Sequence, residues 1–500
     1  MTDTTSSFER LDRRSLPCAR ARLPGFDPAH VGTGIVHIGL GAFVRAHVAA
    51  FNDEAMEATG DLSWGLAGVS LRSPDQKARL EPQDFLYTAV ERGPGGSHAR
   101  IIGSLAAAIH APSEGERLAA LMADPATRIV SLTITEKGYC HDPATGHLRA
   151  DHPEIRADLM AGSRPATAPG LIVAALAARR AAGVAPFTVL CCDNLPGNGH
   201  VTRRVVTDYA ALKDEALAAW IEREVAFPST MVDRIVPAVT PEGIAATAEL
   251  IGLRDEAPVL HEPFRQWVIE DNFPSGRPRW DLAGAQMTTD VEPFELMKLR
   301  MLNGTHSAMA YLGTLAGVET VSAAIADPDI GPFVEALWRE EIIPTVPPPP
   351  GADLAAYAAQ LRARYENPGV RHLTAQIAMD GSQKLPQRIL APIRDRLAAG
   401  QSFERLALVV AAFLRHAGGR ADDGAPLRVS DPLTPKLAEA RQQAADPADY
   451  VRRAVGIEPI FGTLGTVDPF VAAVTAAHAR LATAGTRSTL RRLREAGTFR

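Results

Sequence analysis

The sequence predicts a doubly wound parallel α/β sheet followed by a mostly α-helical C-terminal domain. Three observations carry that expectation. An apolar strand over residues 33–38 runs straight into Gly39-Leu40-Gly41 and a helical pattern. Further apolar strands alternate with Ala-rich helices as far as Cys192, the spacing of βαβ units. From about residue 290 the periodicity turns helical and stays so. With 500 residues there is material for two or three cores. The switch in pattern divides the chain into an α/β domain over 1–288 and a helical domain over 289–500.

Composition bounds the function. The chain is 46% hydrophobic and 22% charged, as soluble globular proteins are. A net charge of -6 argues against a nucleic-acid or anionic-membrane partner, which would need a concentrated positive field. The Arg-rich piece from Arg487 to Arg494 is expected to be a frayed surface helix. No run of about 18 apolar residues appears, and the N-terminus has no apolar core before a cleavage site, so a cytoplasmic protein is expected. Four cysteines do not make a disulfide framework at this length; Cys191 and Cys192 read as small buried fillers. A small-molecule enzyme, monomeric or a small homo-oligomer, fits these limits.

Taken in order, residues 1–30 are polar and interrupted by Pro17, Pro24 and Pro28, an irregular lead-in. Thr33 to Ile38 is a buried strand, and the Gly-x-Gly turn after it opens a helix running to about Glu57. Gly39 permits the tight turn, and Gly41 lets backbone N–H groups approach a pyrophosphate at the helix N-terminus. Gly39, Gly41 and Phe43 are therefore cofactor-binding candidates, while Val44 replaces the third glycine of the fingerprint and should hold the helix further from the strand. The strand Trp64–Leu71 leads to Asp75, placed to bind an adenosine ribose and so to favour NAD over NADP; Arg72 beside it is the residue that would accept a 2′-phosphate instead.

Short strands follow at 86–90 and 101–102, then Arg128–Thr135, which ends in the loop Thr135-Glu136-Lys137-Gly138-Tyr139. Strand-end loops are where such sheets bind ligands, so Thr135 and Glu136 join the cofactor candidates. A helix over Leu171–Ala182 and a strand over Phe187–Cys192 precede Asp193-Asn194-Leu195-Pro196-Gly197-Asn198-Gly199. Asn194 is placed to reach a cofactor–substrate junction; the alternative is an Asx turn opening the next helix. Asp233 follows a Pro-initiated turn, and Phe264–Asp271 is a strand ending in two acids.

The helical half opens at Pro293, with Asp290 as a candidate N-cap and Glu292 and Glu295 at the positive end. In a regular helix Glu295, Lys298, Asn303 and His306 would share an arc of roughly 140°. A carboxylate, an amine, an amide and an imidazole among Leu299, Met301 and Leu302 resemble the floor of a cleft. Helices are expected at 352–365, 387–399, 403–416, 434–445 and 468–483, with Pro347–Pro350 a stiff connector. The segment Asp380–Pro386 reads as a loop whose Lys384 either faces the cleft or is simply solvated.

A nucleotide sheet followed by Lys, Asn and His suggests hydride transfer without a metal, since no Cys/His ligand set of suitable spacing is visible. Oxidising a secondary alcohol needs a base for the hydroxyl proton and donors for the developing alkoxide. A lysine desolvated beside a cationic nicotinamide has its pKa drawn towards neutrality, so Lys298 is the candidate base. Asn194 and Asn303 would donate to the oxyanion, His306 and Asp233 would bind neighbouring hydroxyls, and Glu295 would relay the proton.

Four stretches, GLGAFVRAH at 39–47, TEKGYC at 135–140, CDNLPGNGHV at 192–201 and KLRMLNGTH at 298–306, resemble the mannitol dehydrogenase family. STMVDRIVP, FRQWVIEDNF and DGSQKLPQR extend the likeness over nearly the whole chain. The resemblance implies a Rossmann-like N-terminal domain, a helical C-terminal domain and metal-free, NAD-dependent catalysis. It implies the same roles for Lys298, Asn194, Asn303, His306, Asp233 and Glu295, and makes Asp75 the selector of NAD. Val44 departs from the histidine common in the family fingerprint. Gln376 stands where the mannitol-oxidising branch is expected to carry arginine. That difference favours D-fructuronate/D-mannonate over D-mannitol/D-fructose, with Lys384 meeting the sugar carboxylate. The rival from another class is a catalytically silent nucleotide sensor on the same fold, which the intact Lys298, Asn303 and Asn194 oppose.

Overall fold

The computed structural model describes residues 8–495 except 143, 144, 161 and 370. The chain divides into one compact unit ending at Val291 and a second beginning at Glu292.

Among the described residues the first unit carries eleven strands: β1 Thr33–Ile38, β2 Gly65–Ser70, β3 Tyr87–Gly93, β4 Gly96–Ile102, β5 Leu105–His110, β6 Ile129–Leu132, β7 Thr188–Cys191, β8 Thr230–Asp233, β9 Val259–His261, β10 Gln266–Glu270 and β11 Gln286–Thr288. Five form an all-parallel sheet in the order β5-β2-β1-β6-β7, with Val36 opposite Ala67 on one side and Val130 on the other. The chain winds outward from β1 to β2 and β5, then returns past β1 to β6 and β7. The switch point therefore lies between β1 and β6, at whose carboxyl ends sheets of this kind bind ligands. The sequence reading missed β5, because Leu105-Ala106-Ala107-Ala108 lacks the branched side chains that mark a strand.

Both faces of the sheet are covered, which explains why its strands read as continuous apolar runs. Ile35, Leu66, Ile129 and Leu190 pack with Phe51 and Met56 of the helix Val48–Thr59. Val36, Ile38, Val69, Val130 and Leu132 pack on the other side with Ile172 and Leu176 of the helix Ala168–Ala181 and Val206 of the helix Asn198–Ala211. Each such side chain contributes roughly 1.5–3 kcal/mol on burial. Two smaller sheets, β4-β3-β9 and β11-β10-β8, complete the unit.

Three buried histidines, His37, His47 and His261, have their pKa pushed down to about 3 by burial. Folded, they stay neutral; unfolded, they bind protons below the usual value near 6.5. Their stabilising effect is therefore complete above pH 6.5 and is lost as pH falls towards 3, at up to about 1.4 kcal/mol per pH unit for each. Asp53, raised to about 6 by burial, works in the opposite sense, as do Asp193, Asp255 and Glu341, but the histidines that burial lowers, which also include His306, His372, His416 and His478, are more numerous. The thermal midpoint is expected to fall steadily from pH 7 to pH 5. A midpoint constant over that range would contradict this account.

The second unit is helical. Its centre is the helix Gly304–Leu315, every residue of which is buried. Beside it lies Glu404–His416, where the Thr314 hydroxyl meets His416 Nδ1 at 2.9 Å. The buried Glu341 carboxylate accepts the N–H groups of Arg405 and Leu406 at 2.9 and 2.8 Å, satisfying the start of that helix from a remote position. The C-terminal arginines are exposed on a surface helix, but its end is held rather than frayed. Arg487 pairs with Asp327 and Arg491 with Asp329, both nearly buried carboxylates, so the end of the helix Asp468–Leu493 is docked by charge. These pairings were not foreseen because the two acids lie some 160 residues upstream, beyond the reach of local sequence. Among the described residues no single helix is long and apolar enough to cross a membrane.

Candidate active site

In the first unit the fingerprint sits at the end of β1, against the end of β6. Gly39 has φ +109°, and a Cβ there would lie 2.0 Å from the Thr133 carbonyl oxygen. Only glycine fits on both counts. Gly41 is different: its φ is -92°, and the nearest atom to a Cβ would be Gly39 O at 4.0 Å. The space over Gly41 is thus clear, as an approaching phosphate requires. His37 ties the two strands together from below, its ring nitrogens meeting Ser131 Oγ at 2.7 Å and Thr133 Oγ1 at 2.8 Å, while Thr133 Oγ1 donates to Gly39 O at 2.9 Å.

The helix after Gly41 is shorter than expected. It covers Ala42–Ala46, breaks at His47, and resumes as Val48–Thr59. Val44 is buried among the core residues on that face of the sheet, while Phe43 stacks on His47 with ring centroids 4.9 Å apart. Arg45, which the sequence reading passed over, is buried; its guanidinium donates to Gly41 O at 3.2 Å and to Ala257 O, and Tyr87 donates back to Arg45 O at 2.8 Å. It braces the fingerprint turn from four residues away, a spacing that was visible in the sequence. Asp75 is exposed in the first turn of the helix Asp75–Leu80, just beyond β2.

Thr135 and Glu136 are exposed on the turn after β6. Thr135 has φ +65° with ψ 162°, a conformation that costs a β-branched residue of order 1–3 kcal/mol. Asp193 holds it there: its carboxylate accepts the N–H groups of Ile134 and Thr135 at 2.9 and 3.0 Å and the Tyr139 hydroxyl at 2.7 Å. Asn194 follows directly, exposed beyond β7. It does not open the next helix, which starts at Asn198 after Gly197 in the left-handed region. Asn198 organises that loop, donating to Asp193 O at 3.0 Å and Thr230 O at 2.9 Å and accepting from Thr230 N–H at 2.9 Å. Asp193 and Asn198 were missed because their partners come from the turn after β6 and from β8. Asp233, nearly buried, ends β8 opposite Gln266. Next to it the buried Arg234 donates to Ala46 O at 2.6 Å.

In the second unit the helix that carries Lys298 is not regular. An α-helical segment Glu292–Met297 gives way to a π-helical turn over Lys298–Asn303, and α-helix resumes at Gly304. The helix starts at Glu292, two residues after Asp290. The π turn revises the predicted 140° arc. Five residues along an α-helix are roughly 140° apart, whereas i→i+5 bonding brings Lys298 and Asn303 round to nearly the same face. Glu295 and His306, three residues to either side, then extend one narrow polar stripe.

A π turn leaves carbonyls without regular partners, and here side chains supply them. Met301 O accepts from Trp338 Nε1 at 3.0 Å and Thr305 Oγ1 at 2.6 Å; Leu302 O accepts from the Tyr365 hydroxyl at 3.0 Å; Asn303 O accepts from Arg388 at 3.5 Å. Lys298 is only 7% exposed, Asn303 and Glu295 are half-buried, and His306 is 7% exposed with its Nε2 lacking a hydrogen-bond partner among the described residues. The His306 ring lies 4.8 Å from Tyr365 and 5.1 Å from His372. Burial, then the neighbouring His372 ring and the charges of Arg364, Arg388 and Lys298, hold its pKa well below the ordinary value, so it is a neutral imidazole at pH 7.

Lys384 is not on a loop. Asp380 takes a left-handed turn, and Gly381–Leu385 is helical, followed by a π turn over Pro386–Leu390. The Lys384 ammonium donates to Met379 O at 2.6 Å and Ile377 O at 3.4 Å. Glycine, serine and proline in this stretch suggested a loop; the Asp380 turn and the bond from Ser382 N–H to Asp431, 2.6 Å, make the helix instead.

The fold defines a two-domain protein, a Rossmann domain whose topological switch point lies between β1 and β6 followed by a helical domain opening on a buried lysine. The chain belongs to the mannitol dehydrogenase family: the Mannitol dehydrogenase Rossmann domain matches residues 33–282 and the Mannitol dehydrogenase C-terminal domain residues 290–482. It is an oxidoreductase of that family, acting on secondary alcohols. It is 48% identical over 480 residues to the uncharacterized oxidoreductase YdfI of Escherichia coli K12, covering 95% of this chain and 98% of that one. It is 46% identical over 478 residues to the D-mannonate oxidoreductase of the same organism, covering 95% and 97%. The structure of Pseudomonas fluorescens mannitol 2-dehydrogenase, a ternary complex with NAD and D-mannitol, superposes with a TM-score of 0.87 at 39% identity, covering 97% of this chain and 99% of that chain.

Proposed function

We propose that this protein interconverts a 2-keto and a 2-hydroxy sugar acid, D-fructuronate and D-mannonate, with NAD as cofactor. The cleared space over Gly41, beside the tight turn at Gly39 and at the β1/β6 switch point, suits a pyrophosphate. Gly39, Gly41, Phe43, Thr135 and Glu136 would hold the dinucleotide, with Asp75 on the ribose disfavouring NADP. NAD, when bound, supplies the hydride acceptor.

The chain's own residues do the rest. Lys298, as the neutral amine, takes the proton of the C2 hydroxyl, and Glu295, three residues before it, passes that proton to solvent. Asn303 and Asn194 donate N–H bonds to the oxygen as negative charge grows on it, which is where fixed dipoles help most. His306 and Asp233 bind neighbouring hydroxyls. The observation that carries the reading is the π turn, which aligns amine and amide on one face beside His306. Because His306 is held neutral well below pH 7, it is a weak base there and suits hydrogen bonding to substrate better than proton abstraction.

Identity to the D-mannonate oxidoreductase of 46%, with Gln376 in place of the arginine expected of mannitol-oxidising relatives, favours the sugar acid. The likeness to the mannitol 2-dehydrogenase structure supports D-mannitol/D-fructose as the second reading. Purified protein assayed with NADH and each ketose separates them: turnover of fructuronate well above that of fructose is expected, and the reverse order would overturn the preference. Under the sugar-acid reading Lys384 meets the carboxylate. Lys384→Ala should raise the KM for fructuronate about 10–100-fold, the worth of one charge-assisted hydrogen bond, and alter that for fructose far less. Equal effects on both would remove Lys384 from this role.

A further inference from the structure

We propose that Cys140, His152 and Glu154 form a three-ligand zinc site at the far end of the turn after β6. One ligand atom from each of the three side chains lies within 4.8 Å of the other two. Roughly 3.3–3.8 Å separates neighbouring ligands around tetrahedral zinc with bonds of about 2.0–2.3 Å. The exposed Glu154 side chain has the freedom to close that difference.

The backbone builds the constellation. His141 bridges to Leu148, Arg149 N–H donates to Cys140 O at 2.9 Å, and His152 N–H donates to Arg149 O at 3.0 Å, so the chain doubles back and delivers His152 and Glu154 to Cys140. Two further observations point to a missing ligand. His152 Nδ1 is buried without a hydrogen-bond partner among the described residues. Among the described residues the buried Cys140 sulfur has only a long contact of 3.9 Å to the Lys137 carbonyl. Glu154 is paired with Arg72, but at 3.4 Å and through a guanidinium that is 85% exposed, a contact that gives way easily.

The chemistry selects the metal. A thiolate, an imidazole and a carboxylate suit zinc and exclude magnesium and calcium, which prefer oxygen alone. On binding, Cys140 releases its thiol proton to solvent, and the thiolate and carboxylate together balance the two positive charges. The fourth position is left to water. The metal would clamp the segment after Tyr139 to the helix Pro153–Asp158, fixing the turn whose other end Asp193 already holds.

The test is metal binding by the full chain, independent of any turnover. After chelation and dialysis, Zn2+ titrated by calorimetry should bind at one equivalent and raise the thermal midpoint, with Mg2+ giving neither effect. Co2+ should produce a thiolate charge-transfer band in the near ultraviolet. Cys140→Ser should abolish that band and weaken Zn2+ binding at least tenfold; His152→Ala should weaken it similarly, whereas Cys18→Ser, at an exposed cysteine, should change neither. If Cys140→Ser fails to fold, the wild-type cobalt band and one proton released per zinc still decide the matter. Absence of the band in the wild type, or equal Zn2+ binding by all variants, would overturn the proposal.

Discussion

Lys298→Ala is expected to lower turnover about 10²–10⁴-fold, the range spanned by loss of a positioned general acid/base, while the dinucleotide still binds. The residues proposed to hold the cofactor all lie in the first unit, and Lys298 begins the π turn of the second. The measurement is kcat beside the NADH dissociation constant from fluorescence titration. A small primary amine added to the assay should restore part of the rate, because the deleted group is an amine acting on a proton. Lys298→Met keeps the length of the buried stem and should be as inactive as the alanine variant. A folded variant that turns over within about fivefold of the wild type, or that has lost NADH, would remove Lys298 from the chemistry.

The second large effect is expected at Gly39. Gly39→Ala must place a Cβ 2.0 Å from the backbone oxygen of Thr133 and adopt φ near +109°. Neither can be relieved without separating the ends of β1 and β6. A loss of stability greater than about 2–3 kcal/mol is expected, the upper part of the usual range for a single substitution, together with loss of cofactor affinity. Gly41→Ala separates the two consequences. Its φ of -92° is ordinary, and a Cβ there meets nothing closer than 4.0 Å, so the fold should be unaffected while the methyl group occupies the space proposed for the pyrophosphate. An NADH affinity that Gly41→Ala leaves unchanged would count against placing the phosphates there.

The two pairs of expectations differ in how far they were legible. Gly39 and Gly41 were readable because the demands on them are local: a turn between one strand and the helix that follows it. Lys298, Asn303 and His306 were readable as residue types at a spacing, but their geometry was not. A regular helix would have spread the amine and the amide roughly 140° apart, and only the π turn stacks them. That turn is sustained by Trp338, Tyr365 and Arg388, which come from 35 to 90 residues downstream. Nothing within Lys298–Asn303 announces it.

The same division runs through the rest of the chain. The alternation of strands and helices in the first half, the fingerprint glycines, the helical second half and the family itself followed from the sequence alone, since hydrophobic period and turn chemistry act over a few residues and are written where they act. Tertiary structure alone decided that Asp193 clamps the strained turn at Thr135, that Arg45 braces Gly41, that Lys384 rides on a helix, and that the C-terminal arginines dock on Asp327 and Asp329. Each depends on a buried charge or an unsatisfied backbone group finding its partner from a distant segment. Such pairing is compulsory in a low-dielectric interior, yet which partner answers is fixed only when the chain has closed on itself.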